Sequence, residues 1–313
     1  MCRLTLAMTE KKDTYFFRVA GFLFGISLPG NIFPERILPS FTPFRTSWDG
    51  KEAPLFSLEV ISGMSAEEKC SDGFRVIESM NNDMGHATLS AGDDAYLIGL
   101  RPLSGSSSCR MVADSRFRTG RIFVDRVDAN AGMALSSMLR IAFSQAVLLR
   151  RAVAVHASAV CCDGMAYLFT GKSGTGKSTH SQLWLRHVPG THLLNDDNPV
   201  LKVGDDGVVM AYGSPWSGKT SCYRNEGYPV SGLARLFQSH ENRFVPKADV
   251  EAFAVLLPGC SVIRKDSLLY GCLCDTLAEM SAKINVGILE CRPDYGAVDA
   301  CRNGLKRHPW QVV

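Results

Sequence analysis

The chain has 313 residues, of which 46% are hydrophobic and 21% charged, and its formal net charge is +3. This length suits two domains or one large one, and the composition is ordinary for a globular protein. A charge this small, without a basic run of five or more residues, argues against a nucleic-acid-binding protein.

Targeting signals and cysteine usage predict a cytoplasmic protein without a membrane segment. The N-terminus shows no basic segment followed by an apolar core and a small-residue cleavage site. The most apolar window, residues 15–28, contains Arg18 and is too short to cross a bilayer. The 11 cysteines are odd in number and form no C-x-x-C pair, which favours reduced thiols over disulfides or a structural zinc site.

Residues 1–128 are predicted to form a β-rich N-terminal region that could hold a substrate or a partner. Residues 15–20 and 22–27 have the pattern of a hairpin around Gly21. Further strands are predicted at residues 55–61, 74–78, 95–100 and 120–127. The runs between them, such as residues 104–108, are rich in Gly, Ser, Asn and Asp and are typical of turns.

The pattern changes near Asp128. Residues 131–150 carry apolar residues at helical spacing, with Asp128 or Asn130 as the N-cap. We therefore predict a second domain over residues 129–313. Its alternation of strands and short helices indicates an α/β or mixed nucleotide-binding domain.

Residues 153–160 are predicted to form an apolar strand that contains a single histidine, His156. Such a histidine is usually a core residue bonded to a backbone carbonyl. If this strand lies beside the next one, 165–170, alternation puts His156 on the same face as Ala154 and Ser158. The turn at residues 162–164 is so short that the next strand, 165–170, must run antiparallel, which predicts a mixed sheet.

A Walker A motif, G-x-x-x-x-G-K-[ST], follows at residues 171–178. It lies between an apolar strand and a helix-compatible run over residues 179–188, as a phosphate-binding loop requires. Glycines let successive N–H groups point at phosphate oxygens, and the helix adds its positive N-terminal end. Lys177 is expected to reach the β- and γ-phosphates. The predicted nucleotide-binding residues are Gly171, Ser173, Gly174, Thr175, Gly176, Lys177, Ser178 and Thr179.

An acidic pair ends the next apolar strand, at residues 192–197. We predict that Asp196 and Ser178 hold Mg²⁺, and that Asp197 is the general base for an attacking hydroxyl. The two aspartates can exchange these roles, because adjacent side chains at a strand end point to opposite sides. The alternative is a polar turn without catalytic function.

Residues 212–219 read Y-G-S-P-W-S-G-K and follow a strand predicted at 207–211. Lys219 is predicted to be a second cation that stabilises the phosphoryl transition state. A surface loop anchored by a buried Trp216 is the alternative. Further along the chain, Asp294 is predicted to cap the last helix.

Together these motifs resemble HPr kinase/phosphorylase-related proteins, an uncharacterised branch of the phosphoenolpyruvate carboxykinase-like P-loop superfamily. The resemblance covers residues 130–300 and is carried by the strand from His156, the phosphate loop, Asn-Asp-Asp at 195–197 and the segment 212–219. It implies an α/β (mixed) fold with a carboxykinase-like P-loop kinase core, and it implies that His156 lies in the active site. An imidazole near Asp197 could orient that carboxylate, or could pass a proton to or from the substrate hydroxyl. The glycine-rich C-terminal signature of HPr kinases and the arginine pattern of the carboxykinases are absent, so neither substrate carries over.

These observations predict a kinase that uses ATP and Mg²⁺ to phosphorylate a hydroxyl of a protein, a peptide or a small molecule. One alternative is a nucleotide-binding regulatory or scaffold protein with weak hydrolysis, and the other is a carboxykinase-like enzyme acting on a keto acid. The combination of Lys177, Ser178, Asp196 and Asp197 favours an enzyme. The phosphoacceptor, the choice between ATP and GTP, and homo-oligomerisation stay open, and we expect neither nucleic acid nor a membrane as partner.

Overall fold

The computed structural model describes residues 12–30, 32–63, 73–82, 85–101, 108–127 and 131–306. Contacts divide the chain into two compact units, Met1–Arg18 with Phe22–Ala146 and Val19–Gly21 with Val147–Val313. Each unit is built on one mixed β-sheet with helices. The predicted mixed α/β class is therefore confirmed.

The first unit contains nine strands over the described residues. They are β1 (Lys12–Val19), β2 (Phe22–Pro29), β3 (Arg45–Thr46), β4 (Ser57–Ser62), β5 (Arg75–Asn82), β6 (Gly85–Ala91), β7 (Ala95–Arg101), β8 (Cys109–Asp114) and β9 (Thr119–Val124). Their spatial order is β3-β1-β2-β4-β9-β8-β7-β6-β5. Strands β2, β4 and β9 run parallel, and the pairs from β9 to β5 are antiparallel. The helices are α1 (Pro34–Ile37) and α2 (Ala131–Ala146), and a 3₁₀ segment spans Pro39–Phe44.

Local sequence explains the first hairpin, which forms as predicted. Ala20 and Gly21 both have positive φ, 52° and 80°, and two such residues make the turn that matches the twist of paired strands. The strands bury Phe17 and Phe24, whose ring centroids lie 5.7 Å apart. Phe56 stacks on Phe24 at 4.7 Å, so the core of this unit is largely aromatic near the hairpin.

The other predicted strands of this region are found as β4, β5, β7 and β9, with shifted ends. Strands β6 and β8 were missed, because their alternation is weakened by small and polar residues in G-H-A-T-L-S-A and C-R-M-V-A-D. Most of the predicted loop 104–108 lies outside the described residues. The same is true of the boundary after residue 128 and of both predicted N-caps, Asp128 and Asn130.

The helix predicted over residues 131–150 is found as α2 followed by a 3₁₀ segment, Val147–Arg150. By contacts, α2 groups with the first unit. The stretch Ala131–Arg150 is long and apolar enough to span a membrane, yet 72% of its most apolar window is buried inside the protein. The core helix of a globular protein meets the same criterion of length and hydropathy.

In the part of the second unit that the structure describes there are also nine strands. They are β10 (Ala152–Ala154), β11 (Ala157–Cys162), β12 (Met165–Thr170), β13 (His192–Asp197), β14 (Val200–Val203), β15 (Val209–Tyr212), β16 (Gly227–Gln238), β17 (Arg243–Lys247) and β18 (Asn285–Cys291). The order is β10-β14-β15-β16-β12-β11-β13, with β18 also paired to β16 and β17 to β18. Strands β12 and β18 run parallel to β16, and the other pairs are antiparallel, including β11 with β12 as predicted.

The helices of the second unit are α3 (Lys177–His187), α4 (Asp249–Leu256), α5 (Ser267–Ser281) and α6 (Tyr295–Leu305), and Leu257–Gly259 is a 3₁₀ segment. Trp184 of α3 packs with Phe169 and Leu236 of the sheet and with Leu305 of α6 in one buried cluster. Helix α6 begins at the predicted cap, Asp294, whose side chain accepts a hydrogen bond from the N–H of Ala297 at 3.2 Å. This packing holds α3 firmly against the end of β12, where the glycine-rich motif begins.

Candidate functional site

The strand predicted across His156 is in fact two strands, β10 and β11. The first pairs with β14, whereas the second pairs with β12 and β13. Between them, the N–H of His156 donates to the carbonyl of Gly259 at 2.7 Å, so the backbone leaves the sheet at this point. The prediction that His156 shares a face with Ala154 and Ser158 is therefore wrong, because those two residues are buried and His156 is exposed.

The glycine-rich motif at residues 171–178 forms the connection between β12 and α3. Gly171, Gly174 and Gly176 have φ values of 152°, 80° and 101°, a region that other residues rarely adopt. Helix α3 begins at Lys177, so the N–H groups of its first turn follow directly on the loop. Of the predicted nucleotide-binding residues, the half-buried ones are Gly171, Thr175, Gly176, Lys177 and Ser178, and the exposed ones are Ser173, Gly174 and Thr179.

Lys177 folds over the main chain of this loop. Its ammonium donates to the carbonyls of Gly171 and Lys172 at 3.2 and 3.4 Å. The pKa of Lys177 is lowered, because the effect of burial exceeds the opposing effect of the nearby carboxylates of Asp197 and Asp196. A partly buried ammonium among backbone N–H groups is suited to bind phosphate oxygens through charge-assisted hydrogen bonds.

Asp196 lies on the side of β13 that faces α3. Its Oδ1 accepts a hydrogen bond from the hydroxyl of Ser178 at 2.9 Å. Ser158, the partner of Asp196 in register on β11, makes a hydroxyl–hydroxyl contact of 2.6 Å with Ser181. Ser178 and Ser181 share a helix face because they are three positions apart. The cross-strand neighbours Asp196 and Ser158 thus each form a hydrogen bond with a serine of α3.

Asp197 points to the other side of β13, where it meets His156. The Nδ1 atom of His156 lies 3.0 Å from Oδ1 of Asp197, and the two side chains are 47% and 22% exposed. Asp196, in contrast, is only 4% exposed. The alternation of side chains along a strand separates the two aspartates, one beside the Ser178 hydroxyl and one beside an accessible imidazole. His156 is therefore not a core histidine.

A buried asparagine joins the acidic strand end to the segment 212–219. The Nδ2 of Asn195 donates to the carbonyls of Ser214 and Trp216 at 3.3 and 3.0 Å. Its Oδ1 accepts from the N–H groups of Asp197 and Asn198 at 3.1 and 2.7 Å. Both ends of the amide are used, which fixes the backbone under the acidic pair. In the sequence, Asn195 stands out only as part of the Asn-Asp-Asp motif, because three consecutive residues do not show which of them is buried.

Lys219 is an exposed residue whose two neighbours both contact Asp196. The N–H of Gly218 donates to the Asp196 carbonyl at 2.5 Å, and the N–H of Thr220 donates to Oδ2 of Asp196 at 3.2 Å. A Cβ atom on Gly218 would lie 2.7 Å from that carbonyl oxygen, so the approach requires glycine. Trp216 is buried, as the alternative interpretation of this segment expected. The contact from Thr220 was missed, since nothing in the motif marks it.

The oxygen atoms of Ser178 and Asp196 suit magnesium. Mg²⁺ prefers oxygen ligands and in nucleotide sites is held by one or two protein groups together with substrate phosphates. The hydroxyl and carboxylate oxygens already lie 2.9 Å apart beside the glycine-rich loop. Ser178 and Asp196 are thus the residues that could offer oxygen ligands to an ion here, with Asp197 as the adjacent carboxylate.

Two arginines of the second unit, Arg224 and Arg243, form ion pairs with glutamates. Arg224 lies 3.3 Å from Glu226, and Arg243 lies 2.8 Å from Glu290. Both pairs are partly exposed. Neither arginine is among the residues that contact the acidic pair in the hydrogen bonds described above.

Comparison with known proteins gives little further information. No family model matches the chain, and no curated protein matches it either. Among solved structures, the chain is similar to the Hpr(Ser) kinase/phosphatase from Coxiella burnetii, with 14% sequence identity and a TM-score of 0.29. The match covers 48% of this chain and 88% of that one.

Proposed function

We propose that this protein is an ATP- and Mg²⁺-dependent phosphotransferase that phosphorylates a hydroxyl, with a carboxykinase-like P-loop kinase core. The observation that carries the proposal is the convergence of two polar pairs on one phosphate loop. The Ser178–Asp196 pair, at 2.9 Å, offers metal ligands, and the His156–Asp197 pair, at 3.0 Å, offers a base. Lys177 of the same loop adds the cation for the phosphates.

Each group has a defined part in the proposed reaction. The loop N–H groups and Lys177 bind the β- and γ-phosphates, and Ser178 with Asp196 holds Mg²⁺, which neutralises phosphate charge when bound. The acceptor hydroxyl attacks the γ-phosphorus, its proton passes to Asp197, and the bond to the β–γ bridging oxygen breaks to release ADP. His156 orients Asp197 or relays the proton, and Lys219 contributes positive charge to the transition state.

The accessible imidazole–carboxylate pair favours an enzyme over a pure nucleotide binder. Binding alone requires the loop and the metal ligands, whereas a base with its own hydrogen-bonding partner serves proton transfer. His156 is held at the site by its backbone bond to Gly259 and by the hydrogen bond from the Thr170 hydroxyl to its carbonyl at 3.2 Å. Its position therefore depends on main-chain contacts that persist when its side chain is changed.

The proposal is tested with γ-labelled ATP, Mg²⁺ and cell extract, followed by mass spectrometry of labelled products. Label on a serine, a threonine or a small-molecule hydroxyl supports a kinase, and this label must be lost in Asp197→Asn. Label found only in free phosphate favours the regulatory alternative with weak hydrolysis. Phosphorylation that proceeds equally well in Asp197→Asn contradicts the proposed base.

The metal is tested separately. Chelation with EDTA should abolish turnover, and Asp196→Asn should raise the Mg²⁺ concentration needed for half-maximal rate by about 10–100-fold, as expected for the loss of one charge-assisted contact. The oxygen of Asn can accept from the N–H of Thr220 while its NH₂ group donates to the Ser178 hydroxyl, so the fold should survive. An unchanged Mg²⁺ dependence would exclude Asp196 as a ligand.

A further inference from the structure

A cleft of about 330 Å³ opens beside the phosphate loop within the second unit. One wall is the loop itself, and the other is the C-terminal end of β16. The residues that line it are Lys172, Ser173, Gly174, Thr175, Arg235, Leu236, Phe237 and Gln238. Its volume is within the range of small-ligand sites.

Strand order determines which part of a nucleotide could reach this cleft. Strand β12, which leads into the loop, lies between β16 on one side and β11 and β13 on the other. The acidic pair stands at the end of β13, whereas Arg235 lies opposite Thr170, the last residue of β12. A triphosphate whose γ-phosphate meets the acidic pair therefore directs its nucleoside towards β16.

Phe237 presents an aromatic ring at this position. The ring is 43% exposed, and the Arg235 guanidinium lies 5.4 Å from its centroid. Residues 235 and 237 share a face of the strand, while Leu236 between them is buried in the core. The amide of Gln238 donates to the carbonyl of Gly174 at 3.4 Å and ties the strand end to the loop. The ring is thus fixed beside the phosphate site by the strand that carries it.

We propose that Phe237 is the stacking platform for the base of the bound nucleotide, so that the cleft is a nucleoside subsite. This inference rests on the proposed function, because it takes the phosphate loop as the site of the triphosphate. Stacking on an aromatic ring is available to every base, since each base has a π face. The subsite therefore selects a nucleoside triphosphate over an inorganic polyphosphate, and it serves ATP and GTP alike.

The test measures the binding of Mg²⁺-ATP, Mg²⁺-GTP and inorganic tripolyphosphate by calorimetry. Phe237→Ala should weaken ATP and GTP binding by roughly 5- to 150-fold, the usual effect of removing one base-stacking ring, and leave tripolyphosphate binding unchanged. Phe237→Trp should restore nucleotide binding. Tyr295→Ala is the matched control, since Tyr295 is a similarly exposed aromatic residue of the same unit, at 50%, and should alter neither affinity.

The outcomes separate this inference from the proposed function. If the wild type binds neither ATP nor tripolyphosphate, the proposed function fails. If the wild type binds both and Phe237→Ala binds ATP normally, the nucleoside subsite is wrong and the proposed function stands. If Phe237→Ala keeps its circular dichroism spectrum but loses affinity for ATP and tripolyphosphate equally, the ring supports the loop and not the base, which also overturns the inference.

Discussion

The two sheets of this protein have the same number of described strands and the same mixed character, but they place their polar groups differently. In the first sheet, Glu59 pairs with Lys12 and Arg121, and all three side chains are partly exposed. In the second sheet, Asn195 is fully buried and Asp196 nearly so, at the end of one strand. Burying polar groups is costly unless they are hydrogen-bonded.

This difference shows that the architecture of a sheet is not sufficient to locate a functional site. Both sheets are wide enough to carry one, yet among the described residues it is the second sheet that places the buried, hydrogen-bonded side chains of Asn195 and Asp196 at a strand end beside a glycine loop. Exposed ion pairs such as Glu59–Lys12 contribute little to stability or function. Changes in the second sheet should therefore affect ligand binding and catalysis, and equivalent changes in the first should not.

The largest effect is expected for Lys177→Ala. Losing the ammonium removes about two charge-assisted bonds to phosphate, so the affinity for Mg²⁺-ATP should fall roughly 10²–10⁴-fold. Lys12→Ala in the first sheet is the control and should bind as the wild type does. Calorimetry gives both values. Equal affinity of the wild type and Lys177→Ala for Mg²⁺-ATP would contradict a nucleotide site in the second sheet.

The next effect concerns rate and not affinity. Asp197→Asn should lower phosphoryl transfer by about 10²–10⁴-fold, because the proposed general base is lost while the proposed phosphate and metal contacts stay. Steady-state kinetics with ATP binding measured in parallel separates the two quantities. Asp163→Asn, which changes an exposed carboxylate of the same unit, should leave both unchanged. A parallel loss of ATP affinity in Asp197→Asn would instead make this residue a binding group.

Asn195→Ala tests whether the buried amide supports the acidic strand end. The N–H groups of Asp197 and Asn198 would lose the Oδ1 of Asn195 as acceptor, and because Asn198 is buried this loss should cost about 1–3 kcal/mol in the free energy of unfolding. Urea denaturation followed by tryptophan fluorescence measures this loss. Asn285→Ala is a milder control, since its amide donates to one carbonyl, that of Leu305, at 3.2 Å. A loss no larger than that control would mean that the strand end holds its shape without Asn195.

The smallest effect is expected in the first sheet. The hydrogen bond from Lys12, against the opposing effect of burial, lowers the pKa of Glu59 below 4.5. A lowered pKa in the folded state stabilises the protein above the unfolded pKa, and this contribution is lost as the pH falls through the folded pKa. Because these side chains are partly exposed, Glu59→Gln should cost less than about 1 kcal/mol at pH 7. The difference in the free energy of unfolding between wild type and Glu59→Gln should vanish at a pH below the folded pKa of Glu59. Urea denaturation at pH 7 and at acid pH measures this difference and its sign.

Structural features that depend on neighbouring residues could be predicted from the sequence, whereas those that depend on distant residues could not. The hairpin at Gly21, the strand before the glycine loop and the cap at Asp294 followed from short sequence patterns, and each is found. The break at His156 was missed, because it depends on a hydrogen bond to Gly259, which lies 103 positions further along the chain. An apolar stretch of sequence shows the periodicity of its side chains, but it does not show which distant residue binds the backbone and interrupts the strand.

By itself, the sequence determined the glycine loop, its Lys177 and the order of strand, loop and helix, because these depend on backbone freedom and on neighbours along the chain. Tertiary structure alone decided that Asp196 faces Ser178 while Asp197 faces His156. It also decided that Phe237 stands beside the loop, through the pairing of β12 with β16. The physical reason is that alternation along a strand determines which side chains point to opposite faces of the sheet. The residues that each face contacts are determined by the packing of α3 and by the register of the sheet.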